Sequence, residues 1–307
     1  MDAVARLRRW PGLLAGGALV AGGTALLGPG PARRTGVPRP LSCVAVALGG
    51  AIVANELTGR PVPFLRWSFL RLLVGIRHFA RTGQIGDGRE EAFARYLVAH
   101  ARPGDVDDAI RTADEFCRTG RILAAVGDEK GPILERAVAA AHPHRILELG
   151  TYCGYSALRM TRATPSDAHL YSVEFNAANA DIARRVIAHA GVADRVTVVV
   201  GSLGDGGGTL QRLRDDHGFS PGSLDLVFLD HDKDRYLADL ELVLESGWLH
   251  PGSVVVADNV LVPGAPAYRA YMAEHEGGLW HTTEHPAHVE YQSLVKDLVL
   301  ESEYRGG

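Results

Sequence analysis

Two acidic positions stand where short apolar runs stop. LDLVFLD ends in Asp230 and passes at once into His231, Asp232, Lys233, Asp234 and Arg235, while GSVVVADN ends in Asp258 and Asn259. If these runs are neighbouring parallel strands, they bring two carboxylates and an amide carbonyl to one sheet edge, where open α/β sheets gather ligands. Such oxygen donors suit a hard divalent cation such as Mg²⁺, with water and substrate oxygens completing its shell. Lys233, one helical turn past Asp230, is placed to aim its amine at the same cation. A lysine beside a divalent ion is pushed toward the neutral amine, which can act as a base. Plainer readings exist: Asp258-Asn259 can cap the turn into Val262, Pro263 and Gly264, and Asp232 and Asp234 read as solvated charge. The pairing of Asp230 with Asp258-Asn259 favours the metal over the cap.

A second group lies upstream. ELGTYCGYS, residues 148 to 156, carries Gly150 and Gly154, which allow a tight strand-to-helix turn and close backbone approach. The G-x-x-x-G spacing lacks the dinucleotide fingerprint G-x-G-x-x-G and so argues against a nicotinamide or flavin. Glu148, just before the turn, suits a cationic ligand. Glu174, twenty-six residues later, can take both hydroxyls of a ribose. Together they point to S-adenosylmethionine, although Glu148 alone reads equally as a capping or solvated residue. AAVGDEKG (124 to 131) sets Val126 and Gly127 before a helix beginning near Asp128, either as a lid over a cofactor or as a helix capped by Asp128. Glu290, in HVEYQS, is placed to approach from the last part of the sheet, though its own spacing does not demand it.

These residues need a scaffold. Helical stretches at 89–101, 106–118, 129–141, 154–163, 176–190, 207–217 and 233–245 alternate with apolar runs at 145–150, 169–174, 195–201, 224–230 and 252–259. The near-continuous apolar runs predict parallel strands covered on both faces, in a doubly wound sheet, and the tail predicts a final antiparallel pair. The net charge of −4 leaves no electrostatic footprint for nucleic acid. Cys43, Cys117 and Cys153 are too few and scattered for a disulfide framework or a zinc cluster.

The chain divides by composition into a hydrophobic region, 1–60, a basic amphipathic stretch with a hinge, 61–88, and the α/β domain, 89–307. After Arg6, Arg8 and Arg9 the uncharged blocks 10–27 and 41–54 predict one or two membrane segments, the first just long enough for a span. In residues 61–81, Phe64, Trp67, Leu70 and Val74 recur at helical spacing among Arg66, Arg71, Arg77 and Arg81, a pattern for a headgroup surface or for packing on the globular domain. TGQIGDG, 82–88, reads as the hinge. Arg60, Arg66, Arg71 and Arg77 after the apolar blocks predict a membrane-associated chain whose catalytic part faces the cytoplasm.

In order and spacing, VGDEKG, LELGTYCGYSALRM, SVEFN, VFLDHDKDRY and VVVADNVLVPGAP resemble catechol O-methyltransferase, from about Glu90 to near the carboxyl terminus. The resemblance implies a Rossmann-like class I methyltransferase fold, a doubly wound, mostly parallel seven-stranded sheet with an antiparallel last strand. It implies S-adenosylmethionine and Mg²⁺, with a small catechol as acceptor. Glu174 would hold the cofactor ribose; Val126, Glu148, Tyr152 and Ser156 would line its methionine end; and His231 would lie beside the adenine. Gly127, Gly150, Tyr155, Phe175, Ser202 and Asp230 complete the implied cofactor set. Asp230, Asp258 and Asn259 would hold the metal, Lys233 would be the general base, and Glu290 would orient the second hydroxyl. Asp232 and Ile122 stand where the family has tryptophans, Ala124 where it has a methionine, and Leu203 where it has a serine. These thinned aromatic walls open a second possibility, a cation-dependent enzyme for bulkier phenolics. A non-catalytic, membrane-tethered interaction protein on the same fold would be expected to have lost metal ligands, and none is lost.

Overall fold

The computed structural model describes residues 14–21, 24, 39–57, 65–292 and 294–306. Two compact units emerge, residues 1–77 with 117–122 and residues 78–116 with 123–307.

In the first unit, residues 14–21 are helical and α1 spans Arg39–Leu57. The two meet at glycines: a Cβ on Gly49 would lie 2.6 Å from the Gly16 carbonyl oxygen, so only a bare backbone allows this approach. Among the described residues no helix is long and apolar enough to cross a membrane, so the expected spans find no support there. Half of block 10–27, with Arg6, Arg8, Arg9, Arg60 and Phe64, lies outside the described residues. Helix α2 (Trp67–Thr82) forms within the expected stretch, and one basic position beside it differs from the reading. Arg66, assigned to a basic surface, is buried and donates to the carbonyls of Cys117 (2.8 Å) and Gly120 (3.1 Å). Carbonyls at a helix end lack intrahelical donors, and a guanidinium supplies them. Val74, on the expected apolar face, is 84% exposed, as the headgroup-surface alternative requires and packing on the globular domain does not.

The second unit holds α3 (Arg89–His100), most of α4 (Val106–Thr119), α5 (Gly127–Ala141), β1 (Arg145–Leu149), α6 (Tyr155–Ala163), β2 (His169–Glu174), α7 (Ala177–His189), β3 (Val196–Val200) and α8 (Gly208–Asp215). These are followed by β4 (Leu224–Leu229), a 3-10 turn (Lys233–Arg235), α9 (Tyr236–Glu245), β5 (Leu249–Ala257), α10 (Pro266–Glu274), β6 (Trp280–His288) and β7 (Lys296–Tyr304). The seven strands lie in the order β3-β2-β1-β4-β5-β7-β6. The first five are parallel and β7 runs antiparallel to both its neighbours. Leu224, Leu226, Val227, Phe228 and Leu229 of β4 and Val255, Val256 and Ala257 of β5 have no exposure, as expected of strands covered on both faces. The strand order reverses between β1 and β4, which opens a crevice at their carboxyl ends.

Two local expectations are corrected. Residues 82–88 are not a free hinge, because Asn176 Nδ2 donates to the Thr82 carbonyl, Asn179 Nδ2 to the Gly83 carbonyl (2.8 Å) and Gln84 Nε2 to Asn179 Oδ1 (3.1 Å). Side chains distant in sequence tie down what glycine content alone marks as loose. Asp128 does not cap α5: the helix begins at Gly127, and Asp128 sits in its first turn.

Candidate active site

The loop after β1 turns through left-handed backbone at Gly150 (φ 106°), Tyr152 (φ 46°) and Gly154 (φ 85°). A Cβ on Gly150 would lie 2.6 Å from the Asp230 carbonyl oxygen and 2.9 Å from the His231 nitrogen, so this loop presses on the end of β4. The left-handed turn at Tyr152 costs on the order of 1–3 kcal/mol and directs its N–H at Glu174 Oε2, 2.8 Å away. Asn176 N–H donates to the other oxygen at 2.9 Å. Burial pushes the Glu174 carboxyl up to about 6, against the pull of these two donors. The Tyr152 hydroxyl donates to Glu90 Oε1 (2.9 Å).

Beneath the loop Glu148 has no exposure. The hydroxyls of Ser156 and Ser172 donate to its two oxygens, and Thr151 and Ser172 share a hydrogen bond of 2.5 Å. Burial raises Glu148 to about 7, with the two hydroxyls opposing. Other members of the expected cofactor set sit around this frame. Ser202 is half-buried just after β3, where Gly201 N–H meets the Glu174 carbonyl (2.9 Å). Phe175 is 54% exposed, its ring against Gly83. His231 stacks on Tyr236 and shares a hydrogen bond with Asp239 Oδ2 at 2.8 Å, while its Nδ1 is buried without a partner. Val126 is buried at the start of α5. Tyr155 is turned elsewhere through its hydroxyl, which donates to Asp114 Oδ1 (2.5 Å) and accepts from Arg159 Nε (3.0 Å).

At the ends of β4 and β5 the groups are charged. Lys233 Nζ donates to Asp230 Oδ1 (2.8 Å) and to the Tyr236 hydroxyl (2.6 Å), and that hydroxyl bridges the carbonyls of Leu229 (2.7 Å) and Asp258 (3.0 Å). Asp258 is fully buried, and its Oδ2 has no partner. Burial raises its carboxyl; the Lys130 ammonium pulls it back, and Asp230 and Glu290 push it further up. Asn259, at φ 57°, turns its Nδ2 to Asp297 Oδ2 (2.7 Å) and Glu290 Oε1 (3.2 Å). Among the described residues no three His, Cys, Asp or Glu side chains gather as a metal cluster. The set here is two carboxylates and an amide.

Lys130, Asp297 and Tyr236 escaped the sequence reading. A trace of Asp297 was present, a lone acid inside the apolar run LVKDLVL. Lys130 sits in VGDEKG, and nothing in that stretch indicates partners 128 to 167 residues away.

A family model described as O-methyltransferase matches residues 115–274. A probable O-methyltransferase of Mycobacterium tuberculosis is 59% identical over 235 residues, covering 76% of this chain and all of that protein. The catechol O-methyltransferase of Mus musculus is 37% identical over 214 residues, 70% of this chain and 78% of its own. The crystal structure of the O-methyltransferase TomG of Streptomyces achromogenes, in complex with S-adenosylmethionine, matches with a TM-score of 0.52 and 26% identity over 64% of this chain and 89% of that one.

Proposed function

Since the chain belongs to the O-methyltransferase family and is an S-adenosylmethionine-dependent O-methyltransferase, we propose that it methylates a catechol hydroxyl with the help of Mg²⁺. The observation that carries this reading is the edge of β4 and β5, where Asp258 Oδ2 is buried without a partner and Asp230 and Asp258 repel each other. With its amide nitrogen engaged by two carboxylates, Asn259 leaves its Oδ1 for another partner. Two carboxylates and an amide oxygen fit a hard divalent ion, so Asp230, Asp258 and Asn259 would hold it. Such an ion would acidify a bound hydroxyl and stabilise the resulting oxyanion.

The remaining chemistry falls to the chain itself. Glu174 holds the ribose, and the Gly150 loop brings the cofactor side against Asp230. Glu290 accepts from the second hydroxyl and fixes the ring. The acceptor oxygen would supply the electron pair of the new O–C bond, sulfur would keep the C–S pair, and Lys233 would take the hydroxyl proton. Positioning supplies most of the acceleration, and proton transfer a factor of roughly 10²–10⁴.

The test is methyl transfer from S-adenosylmethionine to a panel of catechols and monophenols, with Mg²⁺ and with chelator. Catechols are methylated and chelation abolishes turnover; equal rates on monophenols in chelator would overturn the reading. Bulkier phenolics are a second reading, favoured by Ile122 and Asp232 where tryptophans were expected. Relative rates on dopamine-sized and bulky catechols separate the two. The catalytic unit is proposed to work in the cytoplasm, where S-adenosylmethionine is made; fractionation of the source cells tests that.

A further inference from the structure

Lys130 Nζ lies 2.8 Å from Asp258 Oδ1, 2.6 Å from Glu290 Oε1 and 3.0 Å from Asp297 Oδ2, and its side chain is wholly buried. Asn259 Nδ2 donates to the same Glu290 and Asp297 oxygens. Asp297 is itself fixed, because its Oδ1 accepts the N–H groups of Leu261 (3.3 Å) and Val262 (3.1 Å). One ammonium and one amide thus close a ring with two carboxylates, Glu290 from the β6–β7 connection and Asp297 from β7.

The ring decides which oxygens are left over. An asparagine amide has a donor end and an acceptor end, so holding the donor presents the acceptor. Asp258 Oδ1 is engaged by Lys130 and by the Asn259 N–H (2.7 Å), which leaves Oδ2 as the atom buried without a partner. The charges also fall short of balance. Four carboxylates, Asp230, Asp258, Glu290 and Asp297, face only two amino groups, those of Lys130 and Lys233. Carboxylates in excess and held away from water call for a further positive partner.

We propose that Lys130 and Asp297 are positioning residues for the cation site: Asp297 turns the Asn259 amide so that its oxygen is free, and Lys130 locks Asp258 and Glu290 into the same frame. This rests on the cation reading given above.

The experiment is Mn²⁺ binding to the full chain, followed by electron paramagnetic resonance of the free ion, beside calorimetry of S-adenosylmethionine. Asp297→Asn, nearly isosteric, weakens Mn²⁺ binding roughly 10- to 100-fold, as loss of a partner behind a metal ligand does, and leaves cofactor affinity within about twofold. Lys130→Met leaves three carboxylates facing one another and endangers the fold. The Lys130→Met/Asp297→Asn variant removes one carboxylate together with the ammonium and so relieves part of that repulsion; it folds and still binds Mn²⁺ weakly. Wild-type Mn²⁺ affinity in either Asp297→Asn or the double variant overturns the positioning role while leaving the proposed reaction standing. So does an equal loss of cofactor affinity. If the wild-type chain itself binds no Mn²⁺, the positioning role and the cation reading fall together.

Discussion

The carboxylates at the ends of β1 and β2 and those at the ends of β4 and β5 are all buried or nearly so, yet their surroundings differ in kind. Glu148 and Glu174 are met by neutral donors, serine hydroxyls for the first and backbone N–H groups for the second. Asp230, Asp258, Glu290 and Asp297 are met by ammonium groups, and one of their oxygens has no partner. The first pair is finished without a counter-charge and suits a preformed cofactor cradle. The second keeps a buried carboxylate oxygen without a partner, which the proposed cation would meet. In the proposed reading, two adjoining parts of one sheet edge separate holding a cofactor from activating an acceptor.

The largest effect should come from the acceptor side. Lys233→Ala is expected to lower kcat roughly 10²–10⁴-fold while S-adenosylmethionine affinity, read by calorimetry, stays within about twofold. A parallel fall in cofactor affinity would break the division, and surviving turnover would remove Lys233 as the base. The reciprocal change is smaller. Glu174→Gln is expected to weaken cofactor binding by roughly 10- to 100-fold, the worth of hydrogen bonds to a charged group, with Mn²⁺ binding unaffected.

The smallest effect is on stability against pH. Burial holds Glu148 at about 7 in the folded chain, above its ordinary 4.5. The folded state therefore takes up this proton as the pH falls through about 7, whereas the unfolded state does so only near 4.5. Its contribution to stability is full below about 4.5 and is lost as the pH rises through about 7. Glu148→Gln should flatten that slope, by on the order of 2 kcal/mol in chemical denaturation between pH 5 and 8. An unchanged slope would show that the serine hydroxyls, not burial, govern this carboxyl.

Much of the scaffold was legible in the chain. The apolar runs before Glu174, Asp230 and Asp258 could be read as strands because strands covered on both faces tolerate little polarity, and α10 was the helix their pattern left out. Lys233 was legible because its distance from Asp230 is fixed by one local turn. Arg66 was misassigned because a cation's burial depends on carbonyls some fifty residues away, and the 82–88 loop because its restraints come from Asn176 and Asn179.

By itself, the sequence determined which elements form, where the strands end, and so which acids reach the sheet edge, since these follow from periodicity and local geometry. Only the tertiary structure decided how each acid is met. Whether a buried carboxylate faces a hydroxyl, an ammonium or nothing depends on segments such as Lys130, Asn259 and Asp297, which lie far apart along the chain and meet only when the sheet has closed.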